Sequence, residues 1–240
     1  MTSTHIYPGT ELGLFAEARN WKQYTAQTLS PYLRGRILEV GAGLGSMTRV
    51  LCTGKETSWI CLEPDPQMAE TLRKAVESGS LPAICQIENG ILRNIAALAP
   101  FDVILYVDVL EHIADDVREV HEARDLLAPG GRLIVLSPAF QWFFTEFDHA
   151  IGHYRRYNKK SMTALTSPGL RLHRCLYLDS VGLLASLANK LFLKSAQPDP
   201  RQIHFWDQYM VPLSRVCDRL VLHSWGRSIV GIWGRDECAY

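Results

Sequence analysis

The residues with the clearest chemical potential lie in a glycine-rich turn near the start of the chain. Ile37, Leu38 and Val40 form a short apolar run of strand type, and the turn Gly41-Ala42-Gly43-Leu44-Gly45 follows directly. Glycines accept positive φ angles and place no Cβ in a ligand's space, so such a turn lets backbone approach a nucleotide-like ligand closely. Glu39 adds a carboxylate that can attract a ligand amino group, either directly or through water.

The spacing of the glycines separates two kinds of ligand. A dinucleotide-binding turn reads GxGxxG and would need glycine at position 46, where the chain has serine. A carboxylate at Glu39 would also repel a pyrophosphate. The pattern therefore favours a ligand with an amino group and counts against a nicotinamide-dependent dehydrogenase.

A second carboxylate appears where the first pattern predicts one. The apolar run from Ser58 to Leu62 ends at Glu63, Pro64 and Asp65, and Glu63 stands 22 positions after Gly41. In a parallel sheet this spacing places Glu63 at the tip of the neighbouring strand, where a ribose diol would lie. A solvated turn acid is the alternative interpretation of Glu63.

Residues 34–139 resemble the class I methyltransferases of the type 11 and type 12 kind, which use S-adenosylmethionine. The resemblance rests on the segments 39–45, 101–106, 108–113 and 126–138, and the last three are most similar to quinone O-methyltransferases. At the third strand, related enzymes usually carry an acid for the adenine amino group, and Asn89 departs from that pattern. The resemblance implies cofactor contacts from Glu39, Gly41, Ala42, Gly43, Gly45, Glu63, Pro64, Asn89, Gly90, Ile91, Asp108 and Val109.

Methyl transfer to a hydroxyl also requires a base, and two regions could supply one. His112 follows the fourth strand and is a candidate base or substrate contact, or else a histidine bonded to backbone at a helix start. His153, Arg155 and Arg156 lie with Asp148 in an aromatic and then basic stretch. One arginine could clamp a carboxylate or phosphate while the other ties the loop to the domain, and a solvated basic loop is the alternative.

Metal dependence has weaker support in the sequence. The triplet Asp108, Glu111 and His112 is similar to a divalent-metal site of some quinone methyltransferases, but one short triplet is little evidence. The six cysteines are scattered and include no CxxC pair, which argues against structural zinc. We therefore predict no metal.

The strands and helices that the sequence predicts around these residues indicate an α/β fold. We expect a Rossmann-like, doubly wound sheet of seven mostly parallel strands with an antiparallel last strand, and a helical elaboration near the C-terminus. The whole chain, 1–240, is predicted to be one domain. Its parts are an N-terminal helical cap (1–33, with a helix over 11–29), a cofactor core (34–139), a substrate loop (140–160) and a helical insertion (180–226).

The helical insertion has an apolar stripe formed by Val181, Leu184, Leu187 and Leu191. We predict that it roofs the acceptor pocket or forms a homodimer face. The predicted helices in this part of the chain cover 180–194 and 207–223, and the last two strands cover 172–178 and 228–233.

Composition bounds the remaining classes of function. The chain is 47% hydrophobic and 21% charged with a formal net charge of zero, so no global field favours nucleic acid. The absence of CxxC pairs, of a signal-peptide pattern and of an uninterrupted apolar stretch predicts a cytoplasmic protein without a membrane span.

The combined prediction is an S-adenosylmethionine-dependent methyltransferase acting on a small or medium-sized, acidic metabolite, with O-methylation favoured over N-methylation. The acidic acceptor is predicted from six basic or titratable side chains within 149–160. One alternative is a catalytically silent, methyltransferase-like binding subunit, and a weaker one is the dehydrogenase.

Substitution of Gly43 tests this prediction. In Gly43→Val a branched side chain would enter the ligand's space, so we expect binding of S-adenosylhomocysteine to be abolished while the fold is largely kept. Calorimetry measures the binding, and an unchanged affinity would remove the basis of the cofactor assignment.

Overall fold

The computed structural model describes residues 13, 17–188 and 199–237, and they build one seven-stranded sheet with helices on both faces. The strand order is β3-β2-β1-β4-β5-β7-β6, and β7 runs antiparallel to both of its neighbours. This confirms the predicted fold class. The strands are β1 (Arg36–Val40), β2 (Ser58–Glu63), β3 (Cys85–Asn89), β4 (Phe101–Val107), β5 (Leu127–Pro138), β6 (Leu170–Leu178) and β7 (Ser228–Arg235).

Nine helices within the described residues flank the sheet. They are α1 (Arg19–Leu29), α2 (Thr48–Leu51), α3 (Pro66–Glu77), α4 (Asp116–Leu126), α5 (Glu146–Ala150), α6 (Lys159–Ala164), α7 (Ser180–Ala188), α8 (Pro200–Phe205) and α9 (Val211–Leu220). A single π turn, Trp206–Met210, joins α8 to α9. In the described part of the chain, none of these helices combines the length and apolar character that crossing a bilayer requires.

Several predicted boundaries need correction. The segment 129–131 has a Pro-Gly-Gly sequence that is typical of a turn, yet it lies inside β5, where the pairing with β4 shifts register between Phe101 and Val103. The predicted helix over 207–223 ends at Leu220, and its first residues form the π turn. Most of 11–16 and all of 189–198 fall outside the described residues, so the helix predicted to start at 11 and the end of the helix predicted over 180–194 lie there.

The central strands are apolar on both faces because both faces are covered by helices. Side chains alternate between two cores, with Ile37 and Leu105 on one side of the sheet and Leu38 and Tyr106 on the other. In register, Val40 pairs with Leu62 of β2 and with Tyr106 of β4. The carboxyl ends of β1, β2 and β4 therefore meet at one edge, which is where open α/β sheets bind ligands.

Three buried aspartates fasten the helical insertion to α1 and to the end of β6. Asp218 of α9 accepts hydrogen bonds from the Tyr24 hydroxyl (2.7 Å) and from the backbone N–H groups of Asp179 (2.7 Å) and Ser180 (2.8 Å). Asp179 accepts from the Trp206 indole at 2.7 Å. Asp207 accepts from the backbone of Trp21 at 2.9 Å and from that of Asn20 at 3.1 Å.

The inner side of the insertion is therefore buried against the domain, and its outer side is exposed. Trp206 and Val211 are buried, whereas Leu213, Val216 and Leu220 are more than half exposed. Leu184 of the predicted apolar stripe is 48% exposed, and Leu191 falls outside the described residues. The homodimer face stays a prediction.

Removal of the Asp218 carboxylate tests how far the insertion depends on these bonds. In Asp218→Ala three buried donors lose their acceptor, so we expect the free energy of unfolding to fall by about 4.5 kcal/mol or more, at roughly 1.5–3 kcal/mol per hydrogen bond to a charged group. Tyr24→Phe removes only one of the three bonds and should cost about a third as much. Urea unfolding measures both, and equal losses in the two variants would contradict this account.

Candidate functional site

A cavity of about 340 Å³ opens at the sheet edge where β1, β2 and β4 end. The glycine turn and Glu63 form one side of its wall, and the segment after β5 forms another with His153 and Arg156. Trp21 and Lys22 of α1, Trp206 of the π turn and Arg227 before β7 complete it. The cavity therefore gathers residues from both ends of the chain around the strand tips.

Packing requires glycine in this turn, in addition to the position of the turn beside the cavity. Gly41, Gly43 and Gly45 have φ angles of 68°, 56° and 72°, a region that favours glycine. A Cβ on Gly41 would lie 2.6 Å from the Val109 side chain, and one on Gly45 would lie 2.7 Å from that of Leu72. Gly41, Ala42 and Gly43 line the cavity, whereas Gly45 does not.

Glu39 presents a buried carboxylate to the cavity. Its Oε2 atom accepts from the Thr48 hydroxyl and the Trp59 indole, both at 2.8 Å. Its Oε1 atom has no hydrogen bond from the described residues. Burial raises the pKa of Glu39 to about 7 despite the two donors. An amino cation beside Oε1 would offset that burial cost and favour the ionised form.

Glu63 lies on the adjacent strand with both oxygens partly engaged. Oε2 accepts from the Gly43 N–H at 2.7 Å, and Oε1 accepts from the Asp65 N–H at 2.9 Å. Burial raises the pKa of Glu63, and these backbone bonds oppose the shift. Because a carboxylate oxygen can accept more than one hydrogen bond, Glu63 retains acceptor capacity for a diol.

The residues after β3 are placed differently from the prediction. The Asn89 side chain donates to the carbonyl oxygens of Glu63 (2.8 Å) and Pro64 (3.2 Å), which holds the β2 and β3 ends together. Asn89, Gly90 and Ile91 do not line the cavity, whereas Pro64, Asp108 and Val109 do. The predicted cofactor contacts are therefore brought together except at Gly45 and after β3, and the binding roles of all of them stay predictions.

Opposite the glycine turn, the buried Asp148 holds two cavity side chains. Its carboxylate accepts two hydrogen bonds from Arg156, both at 2.8 Å, and Oδ1 lies 3.0 Å from Nδ1 of His153. Thr145 adds backbone and hydroxyl donors, each at 2.8 Å. Burial alone would raise the pKa of Asp148, but the bonds from His153, Arg156 and Thr145 outweigh it and hold that pKa well below its usual range.

Glu111 and His112 come from the short helical turn after β4 and meet His153. Glu111 is fully buried; its Oε2 accepts from the Ser137 hydroxyl at 2.9 Å, but its Oε1 has no partner within the described structure. That unpartnered oxygen lies 3.9 Å from Nε2 of His153. Burial, reinforced by the neighbouring Asp108, raises the pKa of Glu111 well above its usual value.

His112 packs edge-on against His153, with ring centroids 4.4 Å apart. Burial, and then the neighbouring His153, lower the pKa of His112 to about 4, so this ring is neutral at pH 7. Ligand atoms of Glu111, His112 and His153 all lie within 4.8 Å of one another. These three groups could hold a divalent cation, a set that shares Glu111 and His112 with the triplet seen in the sequence, so the predicted absence of a metal stays a prediction.

The two adjacent arginines point in different directions, as predicted. Each is already paired with an aspartate, so neither is available to bind a substrate anion. Arg155 lies outside the cavity lining, where it pairs with Asp116 at 2.5 Å and donates to the Ala114 carbonyl at 2.6 Å. Arg156 lines the cavity, yet Asp148 already occupies its guanidinium fork. The basic stretch is therefore neutralised at both arginines.

Sequence reasoning did not identify Lys22, Trp206 and Arg227 as cavity residues. Lys22 and Trp206 lie in helical segments that carry no recognisable binding motif, and Arg227 directly precedes β7. Only the packing of these distant segments brings the three residues to the sheet edge. No local pattern could have found them.

Comparisons with known proteins bear on the domain type and the fold. Residues 38–133 match the family model described as a methyltransferase domain. No curated protein matches the sequence.

Solved methyltransferases share the fold at low sequence identity. The mitomycin 7-O-methyltransferase MmcR is 18% identical with a TM-score of 0.57; the match covers 93% of this chain but only 54% of that enzyme. Coclaurine N-methyltransferase bound to N-methylheliamine and S-adenosylhomocysteine is 10% identical with a TM-score of 0.62, covering 91% and 72%. An S-adenosylmethionine-dependent methyltransferase from Clostridium acetobutylicum is 11% identical with a TM-score of 0.56, covering 92% of each chain.

The different partners of the two arginines predict different losses of stability. Arg156→Met leaves a buried carboxylate without its guanidinium, so we expect a loss of about 3 kcal/mol or more. Arg155→Met removes a more exposed pair and should cost about 1 kcal/mol. Urea unfolding at pH 7 measures both, and a smaller loss in Arg156→Met than in Arg155→Met would contradict the assignment.

The same pair predicts how the loss depends on pH. The pKa of Asp148 is depressed in the folded state, so its contribution to stability is present above its unfolded pKa of about 3.9 and is lost as the pH falls further. The difference between wild type and Arg156→Met should therefore shrink below about pH 4.

Proposed function

We propose that the chain is a class I, S-adenosylmethionine-dependent methyltransferase that methylates a hydroxyl group of a small, acidic acceptor; residues 38–133 match the family model described as a methyltransferase domain. The observation that carries the proposal is the His153–Asp148 pair beside the unpartnered Oε1 atom of Glu111. The His153–Asp148 pair lines the cavity and offers a base for an acceptor hydroxyl.

The residues at the glycine turn fit the cofactor. Glu39 offers an unused oxygen to an amino group, Glu63 retains acceptor capacity for a ribose diol, and Gly41 to Gly43 bring backbone against the cavity. S-adenosylmethionine supplies a methyl group that is already activated on a sulfonium centre. The remaining task of the protein is to align the acceptor with that methyl and to remove the acceptor's proton.

His153 would remove the proton. Its Nδ1–H donates to Asp148, which leaves the Nε2 lone pair as the proton acceptor. Nε2 lies 3.9 Å from the Oε1 atom of Glu111, which is buried and has no hydrogen-bond partner within the described structure. As the acceptor oxygen attacks the methyl, its proton passes to Nε2, and the ionised Asp148 stabilises the resulting imidazolium.

The groups that neighbour His153 favour His153 as the single base. His112 is neutral at pH 7 because its pKa is lowered to about 4, so it adds no positive charge beside His153. The raised pKa of Glu111 favours its neutral form, which adds no negative charge beside His153. A hydroxyl acceptor needs such a base, which supports O-methylation.

The proposed acidity of the acceptor no longer depends on the loop arginines. Arg155 and Arg156 are both engaged with aspartates, so the predicted substrate clamp is not available there. Support comes instead from Arg227, which lines the same cavity.

A metabolite screen with a matched pair of variants tests the proposal. Phenols, aliphatic hydroxy acids and the corresponding amines are incubated with S-adenosylmethionine, and mass spectrometry detects a gain of about 14 Da on the acceptor. For the hydroxyl acceptor found, His153→Gln should lower kcat by about 10²–10⁴-fold, the usual range for a general base, with an unchanged Kd for S-adenosylhomocysteine. His149→Gln, an exposed histidine of α5 outside the cavity lining, is the control and should keep full activity.

Two results would contradict this mechanism. Methylation of amines alone would exclude O-methylation, and full activity of His153→Gln would exclude the base. Loss of activity with a chelator and recovery with Mg²⁺ would assign the Glu111, His112 and His153 cluster to a cation instead.

A further inference from the structure

Arg227 differs from the other cavity arginine in what it contacts. Its backbone is fixed, since its N–H donates to the Asp179 carbonyl at 3.1 Å and its own carbonyl accepts from the Ala139 N–H at 2.8 Å. Its guanidinium carbon lies 4.9 Å from the centre of the Trp206 ring. Within the described residues the guanidinium makes neither a hydrogen bond nor an ion pair, although its side chain lines the cavity.

The nearby carboxylates do not neutralise Arg227 by direct contact. Asp179 is committed to the Trp206 indole, the Ser214 hydroxyl and the backbone of Gly182, at 2.7, 2.7 and 3.0 Å. Asp148 is committed to Arg156 and His153. Burial lowers the pKa of Arg227, and Asp179 opposes that shift. Arginine nevertheless remains charged in proteins, so the cavity wall holds a partly desolvated cation.

We propose that Arg227 binds the carboxylate or phosphate group of the acceptor and thereby selects an anionic acceptor. This inference rests on the proposed function, since it assigns a second contact to the same acceptor. A planar guanidinium can donate two parallel hydrogen bonds to such a group, and the Trp206 ring covers one face while leaving the N–H edges. The acceptor would then be a hydroxy acid or a hydroxylated phosphate ester.

The position of Arg227 favours the acceptor over the cofactor's own carboxylate. Besides Asp179, the charges near Arg227 are Arg156, Asp148 and Asp108. Arg156 and Asp148 belong to the hydrogen-bonded set around His153, whereas Asp108 is one of the predicted cofactor contacts. Lys22, the other cavity lysine or arginine besides Arg156 among the described residues, senses Arg49 and Asp207 instead, and Arg49 follows the glycine turn. Two of the three charges near Arg227 therefore place it near the base, and the binding test below separates an acceptor anion from the cofactor's carboxylate.

Binding of matched probes tests the inference directly. Calorimetry on the full chain saturated with S-adenosylhomocysteine compares 4-hydroxybenzoate and 4-hydroxyphenyl phosphate with the neutral 4-hydroxybenzamide. We expect at least one anion to bind about tenfold or more tightly than the amide, and the stronger of the two identifies the anionic group. In Arg227→Met this preference should fall below about twofold, and Arg227→Lys should keep part of it.

Two controls make the outcome decisive. Arg171→Met removes an exposed arginine of β6 outside the cavity and should keep the full preference. Arg227→Gln keeps the hydrogen-bonding capacity but not the charge, and serves if Arg227→Met does not fold. The Kd for S-adenosylhomocysteine should change less than twofold in the variants.

Three results would overturn the inference. They are the absence of any preference for an anion in the wild type, a preference that survives in Arg227→Met or Arg227→Gln, and a tenfold loss of S-adenosylhomocysteine affinity in these variants. The last would assign Arg227 to the cofactor's carboxylate. With each of these results His153→Gln would still lower kcat. If the proposed function itself fails, His153→Gln would not lower kcat.

Discussion

The buried carboxylate of Asp148 is the interaction on which the rest of the site depends. A buried charge persists only where partners compensate its lost hydration, and Asp148 has three: Arg156, His153 and Thr145. These bonds hold the loop after β5 together internally and fix which nitrogen of His153 is bonded to Asp148. One ion pair therefore connects the stability of the loop to the orientation of the base.

A second set of buried aspartates positions the other wall of the cavity. Asp179 and Asp218 hold the insertion against α1 and β6, and Asp179 also holds the Trp206 indole. Trp206 in turn covers one face of Arg227. The buried hydrogen bonds of the insertion therefore stabilise the fold and also position the Arg227 guanidinium, to which we assign binding of the acceptor.

Site residues whose positions depend on neighbouring residues in the chain could be predicted from the sequence. Site residues brought together from distant segments could not. Glu39, the glycine turn and Glu63 follow strand ends at recognisable spacings, so the sheet and one half of the cavity could be inferred from them. The partners of Arg155 and Arg156 are set by loop packing, and no spacing indicates which arginine meets a buried aspartate. Arg227 stands nearly 190 residues after Glu39 in the chain, and only the antiparallel return of β7 brings it to the same cavity.

The most direct test of the central claim is the kcat of Asp148→Asn with the identified hydroxyl acceptor. An amide at this position keeps the size of the side chain but carries no charge to stabilise the imidazolium of His153, and its NH2 group can donate to Nδ1 and so favour the other tautomer. We predict a fall in kcat of about 10²–10⁴-fold, the range of general-base catalysis, with S-adenosylhomocysteine affinity within twofold of the wild type. A folded Asp148→Asn protein with wild-type kcat would contradict the account.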